Sequence, residues 1–199
     1  MTVGVLSLQG DFAAHASKLS ELGCNVIEVR SSADLEQIRG IVIPGGESTT
    51  MLKLLDRNLA TQLLKMIRGG FPVLATCAGV ILLAKHVRRP EQESLDALDI
   101  DVERNAYGRQ LQSSIASQLE ITAEGKKTFT ASQHSIEGVF IRAPRITRTG
   151  QDTQTLLTSK GDPVLVRKHN ILAATFHPEL SPGFSPVHQL FLNFISNNH

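Results

Sequence analysis

Between residues 3 and 76 the chain repeats one alternation: a short apolar run, a polar break, then a segment with helical spacing. The apolar runs are Val3–Leu8, Asn25–Val29, Gly40–Ile43 and Val73–Ala75. Strands that carry apolar residues at successive positions must be covered on both faces, and that requires a mainly parallel sheet with helices on either side. Phe12, Ala16, Leu19 and Leu22 fall on one face of a helix closed by Gly23. Asp34–Ile38 reads as a short helix, and Ser48–Leu55 and Leu59–Ile67 as longer ones. Pro44-Gly45-Gly46 breaks the third strand.

The second half differs. Val87–Ser114 is polar and reads as an irregular surface excursion or lid. Beyond Leu119 the pattern is β-rich: Gly138–Arg142, Thr155–Thr158, Val164–Arg167, a turn at Lys168-His169-Asn170, then Ile171–Phe176. Ser185 and Pro186 suit the cap and first residue of a last helix, Val187–Ile195. The fold expected is α/β: a single doubly wound domain over residues 1–199, with a central, mostly parallel sheet flanked by helices and a β-rich second half.

A chain of 199 residues buries a sizeable core, and 41% hydrophobic with 20% charged residues is an ordinary globular composition. The formal net charge is +1, which gives no electrostatic argument for binding nucleic acid or a membrane surface. "MTVGVLSLQGDF" has neither a basic n-region nor a long apolar stretch, and no apolar run approaches the roughly 20 residues of a membrane span. Cys24 and Cys77 lie far apart with no metal or CxxC spacing, so a reducing cytoplasm with both thiols free is expected.

Cys77 sits in "VLATCAGVILL", between a strand and an apolar helical run. One reading is a buried cysteine acting as a small hydrophobe. The other is a nucleophile on a strand-to-helix turn, although Ala75 stands where the elbow pattern has its first glycine. A thiol there feels the positive end of the helix dipole, and the Ala78 N–H points at any oxyanion formed beside it. Of seven histidines, His177 stands apart, directly after the apolar strand in "ATFHPEL", with Pro178 ending the strand and Glu179 two residues on. In extended geometry Glu179 points the same way as His177 and can hold its ring from behind. His15, His86, His134, His169, His188 and His199 lie in helical, turn or terminal contexts that suit surface or otherwise satisfied roles. "IVIPGGESTT" places a third strand end at the same edge; Gly45 and Gly46 permit close backbone approach, and Gly46 N–H is a candidate second oxyanion donor. Walker spacing is absent.

Taken together, "LQGDFAAH", "PGGESTT", "TCAG", "RNAYGRQ", "GVFIRAP" and "TFHPEL" span almost the whole chain. In this order they resemble the class I glutamine amidotransferases, and among them the glutaminase subunits of pyridoxal 5'-phosphate synthases. The resemblance implies hydrolysis of L-glutamine to glutamate and ammonia, with Cys77 as nucleophile, His177 as proton relay and Glu179 orienting it. It implies Gly46 and Ala78 as oxyanion donors, and Gly46, Glu47, Ser48, Arg104, Ile141 and Arg142 as glutamine contacts; Arg109 and Arg145 are left as surface charge. It also implies a partner, a (β/α)8-barrel synthase subunit in a large mixed assembly. That subunit makes pyridoxal 5'-phosphate from ribose 5-phosphate and glyceraldehyde 3-phosphate, and activates the glutaminase by settling the Pro44–Glu47 loop. No cofactor or metal is implied for the glutaminase step. The polar stretch 148–162 departs from the resemblance and is expected to be a surface loop, with Cys24 in a packing role. Competing readings are a glutaminase of another pathway, a peptidase-like α/β protein and a scaffold with a dead site.

Overall fold

The computed structural model describes residues 1–104, 106, 113–116, 118–129 and 136–197, of which 113–116 by their backbone alone. Five strands form the parallel part of an eight-stranded sheet: β1 (Thr2–Leu6), β2 (Asn25–Val29), β3 (Ile41–Ile43), β4 (Val73–Thr76) and β13 (Ile171–Ala174). They lie in the order β2-β1-β3-β4-β13. Antiparallel β12 (Asp162–Lys168), β11 (Gln154–Ser159) and β8 (Glu120–Ile121) extend the sheet beyond β13.

The apolar runs divide between two cores because side chains alternate across a strand. Val3, Val5, Val42, Leu74, Leu172 and Ala174 face one side, where α1 (Phe12–Glu21) and α6 (Pro186–Ser196) supply Leu19, Leu190 and Phe191. Leu6, Ile41, Ile43, Val73, Ala75 and Ala173 face the other. There α2 (Ser48–Leu54), α3 (Arg57–Arg68), α4 (Ala78–Leu83) and a 3-10 helix at Ser32–Gln37 cover the sheet. Helix starts follow their caps: the Glu47 side chain accepts from Thr49 and Thr50 N–H, and Asp56 from Asn58 and Leu59 N–H. Ser185 caps α6 with Pro186 in its first turn, as its sequence predicts.

Two expectations are overturned. The stretch after Val87 is not an irregular excursion: β5 (Ala84–Arg88), β6 (Leu98–Glu103) and β10 (Arg145–Thr149) form a second sheet in the order β10-β6-β5. "LDIDVE" alternates apolar and acidic residues, and Leu98, Ile100 and Val102 join the core beneath α4. Its outward acids are held by Arg148, which donates to Asp99 at 2.6 Å and Asp101 at 3.0 Å. Nor is 148–162 a surface loop, since it completes β10, makes β11 and turns into β12. Arg145 pairs with Asp162 at 2.8 Å. A further pair, β7 (Ser113–Ala116) and β9 (Gly138–Ile141), is antiparallel, and α5 (Ala123–Thr128) packs beside β11.

No described helix is long and apolar enough to cross a membrane. Ile100 tests the packed second sheet: Ile100→Ala should cost about 2–5 kcal/mol in urea unfolding if its side chain is enclosed as described. A loss under about 0.5 kcal/mol is the mark of a solvated segment and would contradict this packing.

Candidate active site

In an open parallel sheet the strand C-termini share one edge, and ligands bind there. Here β1 runs on to Gln9–Asp11, β3 to Pro44–Glu47, β4 to Cys77 and β13 to His177. The register places Ala174 opposite Thr76, and Cys77 N–H donates to Ala174 O at 2.8 Å, so the two strand ends stay locked where the side chains diverge.

Cys77 caps α4 with φ 45° and ψ −104°, a left-handed backbone that a non-glycine residue adopts at a cost of roughly 1–3 kcal/mol. The sharp turn this makes carries Sγ to the strand edge, 6% exposed and 3.8 Å from Ile141 O. The turn is feasible because position 79 is glycine: a Cβ there would stand 2.2 Å from Ile43 O. Ala75, by contrast, is a buried strand residue, which accounts for an alanine being tolerated before the elbow. Ala78 opens α4, where first-turn N–H groups have no intrahelical acceptor.

His177 is 3% exposed and its Nδ1 lies 2.6 Å from Glu179 Oε1. That leaves Nε2 without a carboxylate partner, and Cys77 is near enough to act on the same ring. Burial disfavours the charged ring, but hydrogen bonds with Cys77 and Glu179 outweigh it and raise the His177 pKa from 6.5 to about 10. Asp11 Oδ2 stands 3.5 Å from the same Nδ1. Gly45 packs against both side chains: a Cβ on it would come within 2.5 Å of His177 Cε1 and 3.2 Å of Cys77 Cβ. The Gly45 carbonyl accepts from Asp11 N–H at 3.2 Å, and Glu47 N–H donates to Gln9 Oε1 at 2.8 Å, so the β1 end holds the glycine loop.

A cavity of about 130 Å³ opens over these groups. Cys77, His177, Gly46, Glu47, Ser48, Arg104, Ile141 and Arg142 all line it. Asp11 and Ile81 line it too, and sequence reasoning did not single them out. Asp11 was legible as the polar break after β1, at the same edge as the other strand ends. Glu179 lies behind His177, 4% exposed and away from the cavity. Arg104 donates to Glu47 Oε1 at 3.1 Å. Hydrogen bonding from the Thr49 hydroxyl, helped by Thr50 and both backbone N–H groups against the cost of burial, lowers the Glu47 pKa to about 2. The wall thus carries basic side chains at Arg104 and Arg142 and acidic ones at Glu47 and Asp11. Arg109 and the 105 and 107–110 positions of "RNAYGRQ" lie outside the described residues, as do His134 and His199. Asp11, His177 and Glu179 bring ligand atoms within 4.8 Å of one another. The Nδ1–Oε1 hydrogen bond already occupies that space, which accounts for the grouping without an ion.

His15 and His188 take the satisfied rather than the surface role. Both are fully buried, and a hydrogen bond of 2.9 Å joins them. The signal was available in "DFAAHASKL", where His15 occupies the position four before Leu19 on the buried stripe of α1.

Among known proteins, the subunit PdxT of pyridoxal 5'-phosphate synthase from Thermotoga maritima is 46% identical over 196 residues, covering 98% of this chain and all of the relative. Its namesake from Koribacter versatilis is 47% identical over 199 residues, covering 100% and 98%. A solved glutamine amidotransferase superposes with a TM-score of 0.86 at 40% identity, each chain 98% covered. A putative GMP synthase subunit from Thermoplasma acidophilum, 17% identical with a TM-score of 0.73 and covering 100% of this chain and 95% of its own, shares the fold. Residues 5–197 match the SNO glutamine amidotransferases, and with the strand-edge thiol and imidazole inside that span, the chain belongs to the SNO glutamine amidotransferase family.

Proposed function

We propose that residues 1–199 act as one glutaminase domain, the ammonia-supplying subunit of a pyridoxal 5'-phosphate synthase, working through Cys77, His177 and Glu179. The observation that carries this reading is the Cys77–His177–Glu179 alignment at the floor of a cavity with paired charges. The Cys77 thiolate attacks Cδ of L-glutamine. The tetrahedral oxyanion is held by Gly46 and Ala78 N–H groups. His177 passes its Nε2 proton to the leaving nitrogen, which departs as ammonia and leaves a glutamyl thioester. His177 then takes a proton from water as the water attacks the thioester, and glutamate leaves with the thiolate restored. Glu179 keeps the ring in the tautomer that presents Nε2.

Gly46-Glu47-Ser48, Arg104 and Ile141-Arg142 contact the α-amino and α-carboxylate ends of the substrate. The ammonia passes to a (β/α)8-barrel synthase subunit in a large mixed assembly in the cytoplasm. Docking of that subunit settles the Pro44–Glu47 loop and so raises activity.

Glutamate release from L-glutamine, with and without a synthase subunit from the same source, tests the reading. Strong activity only with the synthase is expected, and Cys77→Ala should abolish it while leaving complex formation intact. Full activity in that variant would end the proposed mechanism. Arg104→Ala removes a charged hydrogen-bond donor, worth about 1.5–3 kcal/mol. It should raise KM by roughly 10- to 150-fold with kcat changed far less; an unchanged KM would remove Arg104 from the substrate site.

The charged imidazole makes a pH prediction. His177 holds its proton to about pH 10 in the folded chain, against an ordinary value of 6.5. The stability it contributes is therefore fully present below about pH 6.5 and is lost as pH rises toward 10. Glu179→Gln weakens this pair, so the fall in Tm across that window should be shallower than in the wild type. A steeper fall would mean that Glu179 does not support the charged ring.

A further inference from the structure

Behind the proposed triad a buried polar chain runs into the helical layer made by α1 and α6. Glu179 Oε1 is satisfied by His177, while Oε2 is enclosed without a well-aligned hydrogen bond. The nearest basic atom to it is His15 Nε2, at 3.2 Å. His15 Nε2 also lies 3.0 Å from Thr76 Oγ1, and its Nδ1 lies 2.9 Å from His188 Nε2. His188 Nδ1 in turn lies 2.6 Å from Ser185 Oγ, the cap of α6. Every member of this chain is at most 4% exposed. Burial lowers the pKa of both rings, His188 to about 3, so each is neutral and carries one ring proton.

Two proton arrangements satisfy the His15–His188 bond, and the Glu179 carboxylate separates them. If His15 carried its proton on Nδ1, the Nε2 lone pair would face a buried carboxylate oxygen at 3.2 Å with mutual repulsion, and only the Thr76 hydroxyl could donate to it. If it carries the proton on Nε2, that N–H donates to Thr76 Oγ1 and presents its positive end within 3.2 Å of Glu179 Oε2. His15 Nδ1 then accepts from His188 Nε2–H, and His188 Nδ1 accepts from the Ser185 hydroxyl. Ser185 Oγ still accepts from His188 N–H at the helix start.

We propose that His15 is a positioning residue for the triad: an Nε2–H imidazole, its tautomer fixed by His188 and Ser185, that backs the second oxygen of Glu179 and keeps the first aimed at His177. This rests on the glutaminase reading above. His15 does not line the substrate cavity, so its influence reaches the reaction only through Glu179.

The experiment compares His15→Leu and His15→Gln, each assayed with the synthase subunit beside wild type and Cys77→Ala. Gln offers an Nε2–H at the reach of the imidazole Nε2, whereas Leu offers none. His15→Leu should lower kcat roughly 10- to 100-fold, the range seen when hydrogen-bonded supports of reacting groups are removed. KM should stay unchanged, and His15→Gln should restore most of the lost kcat. Equal loss in both variants, or no loss in the Leu variant, would overturn the proposal. Imidazole ¹⁵N shifts of the wild-type chain give a second test that needs no variant to fold: protonation on Nε2 of both His15 and His188 is expected, and an Nδ1–H tautomer at His15 would falsify the assignment. If the wild-type complex showed no Cys77-dependent turnover, the glutaminase reading would fall, while the ¹⁵N shifts would still decide the state of His15.

Discussion

A parallel sheet buried on both faces leaves its chain little freedom. Every connection must cross a face, and every strand must end at the same edge as its neighbours. In this protein β1, β3, β4 and β13 lie adjacent in the sheet, so four short peptide ends meet within one residue's reach of a common point. Residues from 9 to 179 are gathered there by backbone geometry alone. The glycine loop, the strained cysteine and the histidine need no long-range contact of their own to find each other.

What that edge then demands is electrostatic. Glu179 is a buried acid, and an unpaired buried charge is among the costliest things a fold can hold. Its two oxygens look in opposite directions, one to His177 and one to His15. The first ring is held charged and the second neutral. The difference follows from surroundings: His177 has Cys77 and Glu179 hydrogen-bonded to it at the cavity, whereas His15 is fully buried and faces two other imidazoles that disfavour a charge on it. One carboxylate thereby stands between two histidines whose surroundings push their pKa values in opposite directions.

The parallel half of the fold was readable because its signals are local and redundant. Apolar runs, glycine and proline breaks and helical spacing agree over Val3–Ala75, and β2 was placed to the residue. Cys77, His177 and the glycine loop could be grouped because strand ends in such a sheet converge. The second sheet was missed although "LDIDVE" alternates cleanly, because its acids made the surrounding stretch look solvated; Arg148, 47 residues from Asp101 and 49 from Asp99, neutralises them. The pairing of His15 with His188 was missed for a related reason. A histidine on an apolar helix face gives no sign of its partner when that partner lies 173 residues away.

That separation bears on the order in which the protein comes into being. Strands β1, β3 and β4 and their helices are encoded in the first 85 residues and can collapse early through short crossovers. His177 and Glu179 arrive just after β13, and the imidazole that braces His15 arrives only with α6. During synthesis Cys77 thus emerges long before His177 and Glu179, and its turn is closed only when Ala174 O accepts from Cys77 N–H. The loop closures that complete the sheet also complete the site. Until β13 docks beside β4, Cys77 has no imidazole next to it.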